Sequence, residues 1–335
     1  MGRPMPIESR SARQPGDMPN IEHSRQICRG VILMFHEVPD DAHYACELDA
    51  GCTVSLLESV IGYLRREQWD LVTIGEAVSR LHDDNPGRPF AVLTFDDGYR
   101  DTLIRALPVL ERHRAPFVVY IVTGAPTAAL HSWWLGVRAL VQTQDEITIS
   151  AMNATFDCRS AGSKILAHDM VCQWVHEDFD RARRLDETFR SYNVSLEALN
   201  RVYFMSEKEL YALASNPLAT IGAHSTSHAP LTKLDAHAVR QEMVGSRAYL
   251  EDLVDRPVLD FAYPYGASAD REFILAAAAG FRSAVTTRYD GVFAAHRMIA
   301  HQLPRIGVAG TVADFDRLAA GMQRLRDLSV APRFP

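Results

Sequence analysis

Cysteines are few in this sequence, and they are scattered. Their number is odd and none belongs to a Cys-x-x-Cys pair: the five are Cys28, Cys46, Cys52, Cys158 and Cys172. A disulfide framework and a zinc knuckle both need paired, regularly spaced cysteines. The spacing therefore excludes both as the basis of the fold, and it favours reduced thiols in a cytoplasmic protein.

Basic residues are outnumbered by acidic ones, 35 against 42, which gives a formal charge of −7 and a pI near 6.0. Nucleic acids and anionic membranes are bound through clustered Lys and Arg, so neither is expected as a partner. No apolar run reaches the roughly 18 residues of a transmembrane helix, and residues 1–29 lack the apolar stretch of an export signal. We therefore predict a cytoplasmic protein without a transmembrane segment, and a neutral or positively charged substrate.

Apolar residues are abundant, at 47% of 335 residues, which is enough for a large core. From residue 30 onward, strand-length apolar runs such as 90–95, 117–122 and 219–223 alternate with helical patterns. Parallel strands joined by helices are the usual result of this alternation. Because the reactive residues follow the C-terminal ends of different strands, we expect an α/β fold, a distorted (β/α) barrel of seven or eight strands, rather than an open doubly wound sheet.

The chain also has an expected division into segments. Residues 1–28 lack periodicity and are predicted to form a flexible tail, and residues 29–330 form the barrel. Residues 124–205 interrupt the alternation with a predicted hairpin at Ile147-x-Ile149 and a charged helix. We interpret them as an insertion over the barrel mouth, where loops build substrate sites. An ordinary peripheral helix pair is the alternative.

Two groups of polar residues come directly after apolar runs: Asp96 and Asp97, and then His224 and His228. Two histidines with three residues between them lie one helical turn apart, or on neighbouring positions of a tight turn, and both arrangements suit one metal ion. Asp97 would be the third ligand. Asp96 would then take a proton from water, whose pKa a metal lowers to about 7. This pattern indicates a metal hydrolase.

These groups carry a family resemblance. Thr94-Phe95-Asp96-Asp97-Gly98 and His224-Ser225-Thr226-Ser227-His228 resemble the T-F-D-D-G and H-[ST]-x-x-H motifs of the polysaccharide deacetylases, the NodB-like carbohydrate esterases. The resemblance implies a divalent metal, zinc above all, with cobalt, nickel or manganese as alternatives. It implies the ligands Asp97, His224 and His228. It also implies Asp96 as the catalytic base that hydrolyses N-acetyl groups of GlcNAc-containing glycans.

A third segment, ending in Pro264-Tyr265-Gly266, is similar to the family motif R-x-P-[FYW]-G. The resemblance implies that the backbone N–H of Tyr265, after Pro264, stabilises the oxyanion. Tyr99, beside the first motif, is a further expected substrate contact. Trp133 and Trp134 are expected to stack on sugar rings, with core packing as the alternative.

The sequence departs from the family pattern in two places. Ala262 stands where many members have an arginine that orients the base, and Arg305 is the expected substitute, a structural surface arginine being the alternative. The late Leu-x-x-His motif that supplies a catalytic acid is missing. His36, after the first predicted strand, resembles the N-terminal histidine that takes this place in a bacterial subgroup. An imidazole that titrates near 6.5 suits a general acid. An ordinary hydrogen-bonded histidine is the alternative.

Together these features predict a cytoplasmic, metal-dependent N-deacetylase. Its substrate would be a chitooligosaccharide, another short GlcNAc oligomer, or a lipid-linked or nucleotide-linked sugar. Two alternatives stay open at this point. One is a metal-dependent hydrolase of cyclic amides or ureides, and the other is a catalytically idle, sugar-binding barrel.

Overall fold

The computed structural model describes residues 28–42, 48, 51–84 and 87–327. The predicted N-terminal tail, except Cys28, and Cys46 lie outside the described residues. The four described cysteines are free thiols. Among the described helices, none is long and apolar enough to cross a membrane.

The strands fall into one large sheet and one hairpin. The large sheet contains β1 (Cys28–Phe35), β2 (Asp70–Leu71), β3 (Phe90–Phe95), β4 (Phe117–Ile121), β7 (Ala219–Ala223), β8 (Asp260–Ala262), β9 (Ser283–Val285), β10 (Val292–Phe293) and β11 (Ile306–Gly307). The antiparallel hairpin contains β5 (Glu146–Ile149) and β6 (Ala154–Asp157), as the Ile147-x-Ile149 pattern predicts.

The large sheet curls into a barrel. Its parallel strands follow the order β1-β3-β4-β7-β8-β9, while β10 pairs antiparallel with β1 and β2 pairs with β3. Residues 303–307 join the two ends of this order, because Leu303 bridges Val285 of β9 and Ile306 pairs with Leu33 of β1. The described strands thus form a ring of seven. The predicted distorted (β/α) barrel is confirmed.

The helices lie in the connections between strands, except the last helix, which follows the last strand. They are α1 (Val54–Arg66), α2 (Ile74–Arg80), α3 (Leu107–Arg112), α4 (Trp133–Thr143), α5 (Ala161–Glu177), α6 (Arg181–Arg184), α7 (Asp186–Ser191), α8 (Leu196–Tyr203), α9 (Glu207–Ala214), α10 (Ala236–Val254), α11 (Asp270–Ala278) and α12 (Phe315–Asp327).

Helix starts follow capping chemistry. Thr73 and Ser206 cap α2 and α9, as their Thr/Ser-x-x-Glu patterns predict. The Ser55-x-x-Glu58 pattern also predicts a capping box at the start of α1, but Ser55 is not the cap. Thr53 is the N-cap, because its hydroxyl accepts from the N–H of Leu56, whereas the Ser55 hydroxyl donates to Asp41.

The strands are buried on both faces, which explains why their sequences are continuously apolar. Ile32, Val92 and Val118, on neighbouring strands, pack together in one cluster. Their chain neighbours Leu33 and Leu93 belong to a second cluster with the surrounding helices. The barrel therefore has a filled interior and a separate outer layer.

Residues 133–203 build a small core of their own from α4, the hairpin and α5 to α8, with Val137, Ile147 and Val171 buried in it. This unit also contacts the barrel. The Trp134 ring lies 5.1 Å from that of His228, and the Phe179 ring lies 4.9 Å from that of Tyr265. It therefore covers the C-terminal ends of β7 and β8.

Candidate metal centre

The first motif forms a sharp turn at the end of β3. Asp97 and Gly98 have φ values of 70° and 83°. A side chain at Gly98 would also place its Cβ 3.0 Å from Cδ1 of Ile121. Both the positive φ and the lack of space therefore favour glycine at this position. The turn points the two carboxylates to different partners: Asp96 contacts Arg305, and Asp97 faces the histidines.

His224 directly follows β7, and a backbone contact determines its tautomer. Nδ1 lies 2.7 Å from the carbonyl oxygen of Ala262. Because a carbonyl only accepts, Nδ1 must carry the proton and donate it. Nε2 then keeps its lone pair, and it lies 3.5 Å from Oδ1 of Asp97.

His228 reaches the same carboxylate oxygen, with Nε2 at 3.3 Å from Asp97 Oδ1. The segment is a tight turn and not a helix. Ser225 and His228 have φ values of 64° and 57°, and the His228 N–H donates to the Ser225 hydroxyl at 3.0 Å. Of the two arrangements open from the spacing, the turn is the one observed.

The three side chains fit a divalent metal. One ligand atom from each lies within 4.8 Å of the others, and the described residues contain no second such group. Oδ1 of Asp97 is buried without a hydrogen-bond donor in the described part of the chain. Two imidazole nitrogens and one carboxylate oxygen match the three-ligand sets of catalytic zinc sites, which leave one position open.

The pKa values of the three groups agree with this fit. Burial, with Asp96 and Glu37 nearby, raises the pKa of Asp97 well above its usual range. Burial lowers the pKa of His224 to about 4 and the pKa of His228 well below 6.5. Neutral imidazoles are the form that binds metal, and a bound cation would favour ionised Asp97.

Asp96 is held by a buried arginine. Nη1 and Nη2 of Arg305 each donate to one of its carboxylate oxygens at 2.7 Å, and the two side chains are 0% and 2% exposed. Arg305 also donates to the carbonyl of Thr286 and the hydroxyl of Thr94. Burial alone raises the pKa of Asp96, but Arg305 and His224 outweigh it and hold that pKa well below its usual range. Asp96 is therefore ionised at neutral pH.

His36 lies on the more open side of Asp96. Its Nε2 is 4.0 Å from Asp96 Oδ2, and its side chain is 31% exposed. Burial lowers the pKa of His36 below 6.5, against the opposing effect of Asp96. The imidazole is thus mostly neutral at pH 7, and a role as acid requires it to gain a proton during turnover.

Pro264 and Tyr265 follow β8 in a strained turn. Tyr265 and Gly266 have φ values of 58° and 68°, and a Cβ at Gly266 would lie 2.0 Å from Oγ1 of Thr287. Pro264 has no backbone N–H, so the next backbone donor along the chain is the amide of Tyr265. The side chain of Tyr265 also reaches the site, with its hydroxyl 3.2 Å from Nδ1 of His228.

The other predicted substrate contacts are largely buried. Tyr99 is 3% exposed and stacks on Phe204, and Trp133 is 4% exposed. Trp134 is half-buried, and its indole N–H donates to the Tyr99 hydroxyl at 2.9 Å. These residues border the centre, but their polar groups contact one another.

The structure adds an ion pair that the sequence analysis does not include. Nη1 of Arg138 donates to Oε1 of Glu37 at 2.8 Å, with both side chains under 10% exposed. The charge of Glu37 is one cause of the raised pKa of Asp97. An arginine within the apolar α4 sequence around Leu135 and Val141 is the signal for a buried partner.

The comparisons with known proteins agree with this geometry. The family profile described as "Polysaccharide deacetylase" matches residues 83–284, more than half of the chain. This range includes Asp96, Asp97 and both histidine ligands, but neither His36 nor Arg305. Among curated proteins, none matches the sequence significantly.

Several solved structures share the fold. The Streptococcus pyogenes deacetylase PplD in complex with acetate is 16% identical, with 89% of this chain and 99% of that chain covered and a TM-score of 0.60. IcaB from Ammonifex degensii is 16% identical over 89% and 98% of the two chains, with a TM-score of 0.55. A de-N-acetylase from Aggregatibacter actinomycetemcomitans is 14% identical over 86% and 98%, with a TM-score of 0.52. With the family profile spanning the metal centre, the chain belongs to the polysaccharide deacetylase family.

Proposed function

We propose that this protein is a metal-dependent carbohydrate N-deacetylase that hydrolyses N-acetyl groups of GlcNAc-containing glycans. One observation carries the proposal. Three candidate ligands converge within 4.8 Å, beside a carboxylate that a buried arginine keeps ionised. A hydrolase needs both parts, a cation site and a base within reach of it.

The residues divide the chemistry between them. Asp97, His224 and His228 would hold a divalent ion, which when bound lowers the pKa of water and polarises the acetamide carbonyl. Asp96 accepts the proton of the attacking water. Its Oδ2 lies 4.0 Å from Nε2 of both His224 and His36, so this oxygen faces the reaction centre.

His36 and Tyr265 complete the reaction. The C–N bond of the acetamide breaks as His36 protonates the leaving amine, and acetate is released. Because the pKa of His36 is lowered, His36 must receive a proton during the cycle. We assign the Asp96 carboxylate, 4.0 Å away, as the source of that proton. The Tyr265 N–H donates to the oxyanion, an interaction worth about 2.7–4 kcal/mol in other hydrolases.

The substrate we propose is a short GlcNAc oligomer or a lipid-linked or nucleotide-linked sugar, and the proposed metal is zinc. The family assignment favours a sugar substrate over a cyclic amide or ureide. An idle sugar-binding barrel would have no use for the buried Arg305–Asp96 pair, whose desolvation is costly. The cytoplasmic location remains a proposal, to be tested by fractionating cells that express the native chain.

The experiment is acetate release from acetylated chitooligosaccharides by purified protein with added zinc or cobalt, with loss of one acetyl group followed by mass spectrometry. We expect Asp96→Asn to retain bound metal but lose turnover, because the amide cannot act as the base. We expect His224→Ala to lose metal and turnover together. Glycan binding by the metal-loaded wild type without turnover would instead support the binding module, and turnover of cyclic amides alone would support the other hydrolase.

A further inference from the structure

Trp134 of α4 directs its indole N–H to a tyrosine beside the metal centre. Its Nε1 donates to the hydroxyl of Tyr99 at 2.9 Å. An indole N–H only donates, so the tyrosine oxygen is the acceptor in this bond. A tryptophan that served only as a stacking surface would not need this contact.

Tyr265 in turn contacts a candidate ligand. Its hydroxyl oxygen lies 3.2 Å from Nδ1 of His228, and the two rings are 4.5 Å apart. If Nε2 of His228 is to bind a cation beside Asp97, the proton of the ring must be on Nδ1. The His228 Nδ1–H then donates to Tyr265.

Trp134 connects the two ligand-bearing turns. Its ring lies 5.1 Å from that of His228, while its N–H is bonded to Tyr99, two residues after Asp97. Tyr99 stacks on Phe204, and the N–H of Met205 donates to the carbonyl of Gly98 at 3.1 Å. The turn that presents Asp97 is therefore tied to α4 and to the segment after α8.

We propose that Trp134 and Tyr265 are positioning residues of the metal centre, which fix the tautomer of His228 and hold the Asp97 turn against it from outside the barrel. The segment that interrupts the alternation of strands and helices thus contributes to metal affinity. This inference rests on the proposed ligand set, but it does not depend on turnover or on the identity of the glycan. The carboxyl ends of the strands supply the ligands, and α4 orients them.

The test compares metal affinity in two variants of the full-length protein, Trp134→Phe and Tyr265→Phe. Each keeps an aromatic ring and loses one hydrogen-bonding group. Zinc affinity is measured by competition with a chromogenic chelator, and the geometry is followed through the visible spectrum of bound cobalt. We expect Tyr265→Phe to weaken metal binding about 10-fold to 100-fold and to alter the cobalt spectrum. We expect a smaller loss of affinity for Trp134→Phe.

Trp69→Phe is the matched control. Trp69 is 2% exposed in the outer layer of the barrel, and its indole N–H has no partner among the described residues. This variant should lower thermal stability while it leaves zinc affinity and the cobalt spectrum unchanged. It separates a general loss of packing from a specific effect on the centre.

Three results would overturn the inference. Wild-type zinc affinity and cobalt spectrum in both variants would exclude a positioning role, and if KM for glycans rose in them, sugar stacking would be the correct role. An equal loss of affinity in Trp69→Phe would reduce the effect to general destabilisation. A wild-type protein that binds no metal would remove both this inference and the proposed function, whereas one that binds metal without turnover would remove the proposed function alone.

Discussion

Arg305→Met is the substitution for which the structure makes the sharpest prediction. It removes two charge-assisted hydrogen bonds of 2.7 Å from Asp96 and leaves an apolar side chain of similar length. Asp96 is then a buried carboxylate without its counter-charge. Breaking one side of a buried ion pair costs about 3–5 kcal/mol, so we expect the free energy of unfolding at neutral pH to fall by that amount.

The loss of stability in Arg305→Met should depend on pH, because it follows the ionisation of Asp96. In the wild type the pKa of Asp96 is depressed, so its contribution to stability is fully present above its ordinary value of 3.8 and is lost as the pH falls towards the folded pKa. Without Arg305, burial dominates and raises the pKa of Asp96. The stability difference between wild type and variant should therefore be largest at neutral pH. It should shrink as the pH falls, first through the raised pKa of Asp96 in the variant and then below 3.8 towards its depressed pKa in the wild type.

Catalysis should change in the same direction, because only ionised Asp96 acts as the base. One pKa unit corresponds to 1.36 kcal/mol, so a penalty of about 3–5 kcal/mol moves the acid limb of kcat/KM upward by about 2–4 pH units. The assay is the rate of acetate release between pH 4 and 10, with zinc content measured in parallel. Arg305→Lys should recover part of the activity, since an ammonium replaces the charge but not both parallel bonds.

Arg282→Met is the control for this prediction. Arg282 pairs with Asp260 at the start of β8, the barrel end away from the metal centre, and its side chain is 37% exposed. We expect a smaller loss of stability and an unchanged pH profile. If Arg305→Met retained the acid limb of the wild type, the assignment of Arg305 as the residue that orients and ionises Asp96 would be refuted.

Two further predictions concern the acid and the third motif. His36→Ala should keep bound metal and lower turnover about 10²-fold to 10⁴-fold, and normal turnover would show that another group is the acid. Gly266→Ala should lower the urea midpoint of unfolding, because its φ of 68° and the Thr287 hydroxyl 2.0 Å from the new Cβ both oppose a side chain. Gly162→Ala, an exposed position of α5 where a Cβ meets nothing within 4 Å, should leave the midpoint unchanged or raise it.

The predictions from sequence were most accurate for features that depend on a short segment of the chain. The bounds of β3 and β7 agree with the apolar runs 90–95 and 219–223, because strands buried on both faces are apolar throughout. The residues that follow them, Asp97 and His224, are near each other because parallel strands in a barrel end at the same rim. Both motifs could therefore be placed from their positions in the chain alone.

The predictions were poorer for the last strands of the sheet. The apolar runs 258–263, 281–287 and 303–308 contain strands of only three, three and two residues. The β7 and β8 strands share a single register pair, Ala223 with Phe261. Strand length in this region depends on how far neighbouring backbones stay parallel, and that property is not encoded in hydrophobic periodicity.

The barrel and the identity of the groups at its rim could be predicted, because both follow from the order of apolar runs and the polar residues that end them. Which of these groups meet depends on how the elements pack. Barrel closure brings Arg305 onto Asp96 from 209 positions away, and packing of α4 on the rim joins Trp134 to Tyr99. Hydrogen-bond partners and the pKa shifts they cause depend on distances of a few ångströms, and folding alone sets those distances.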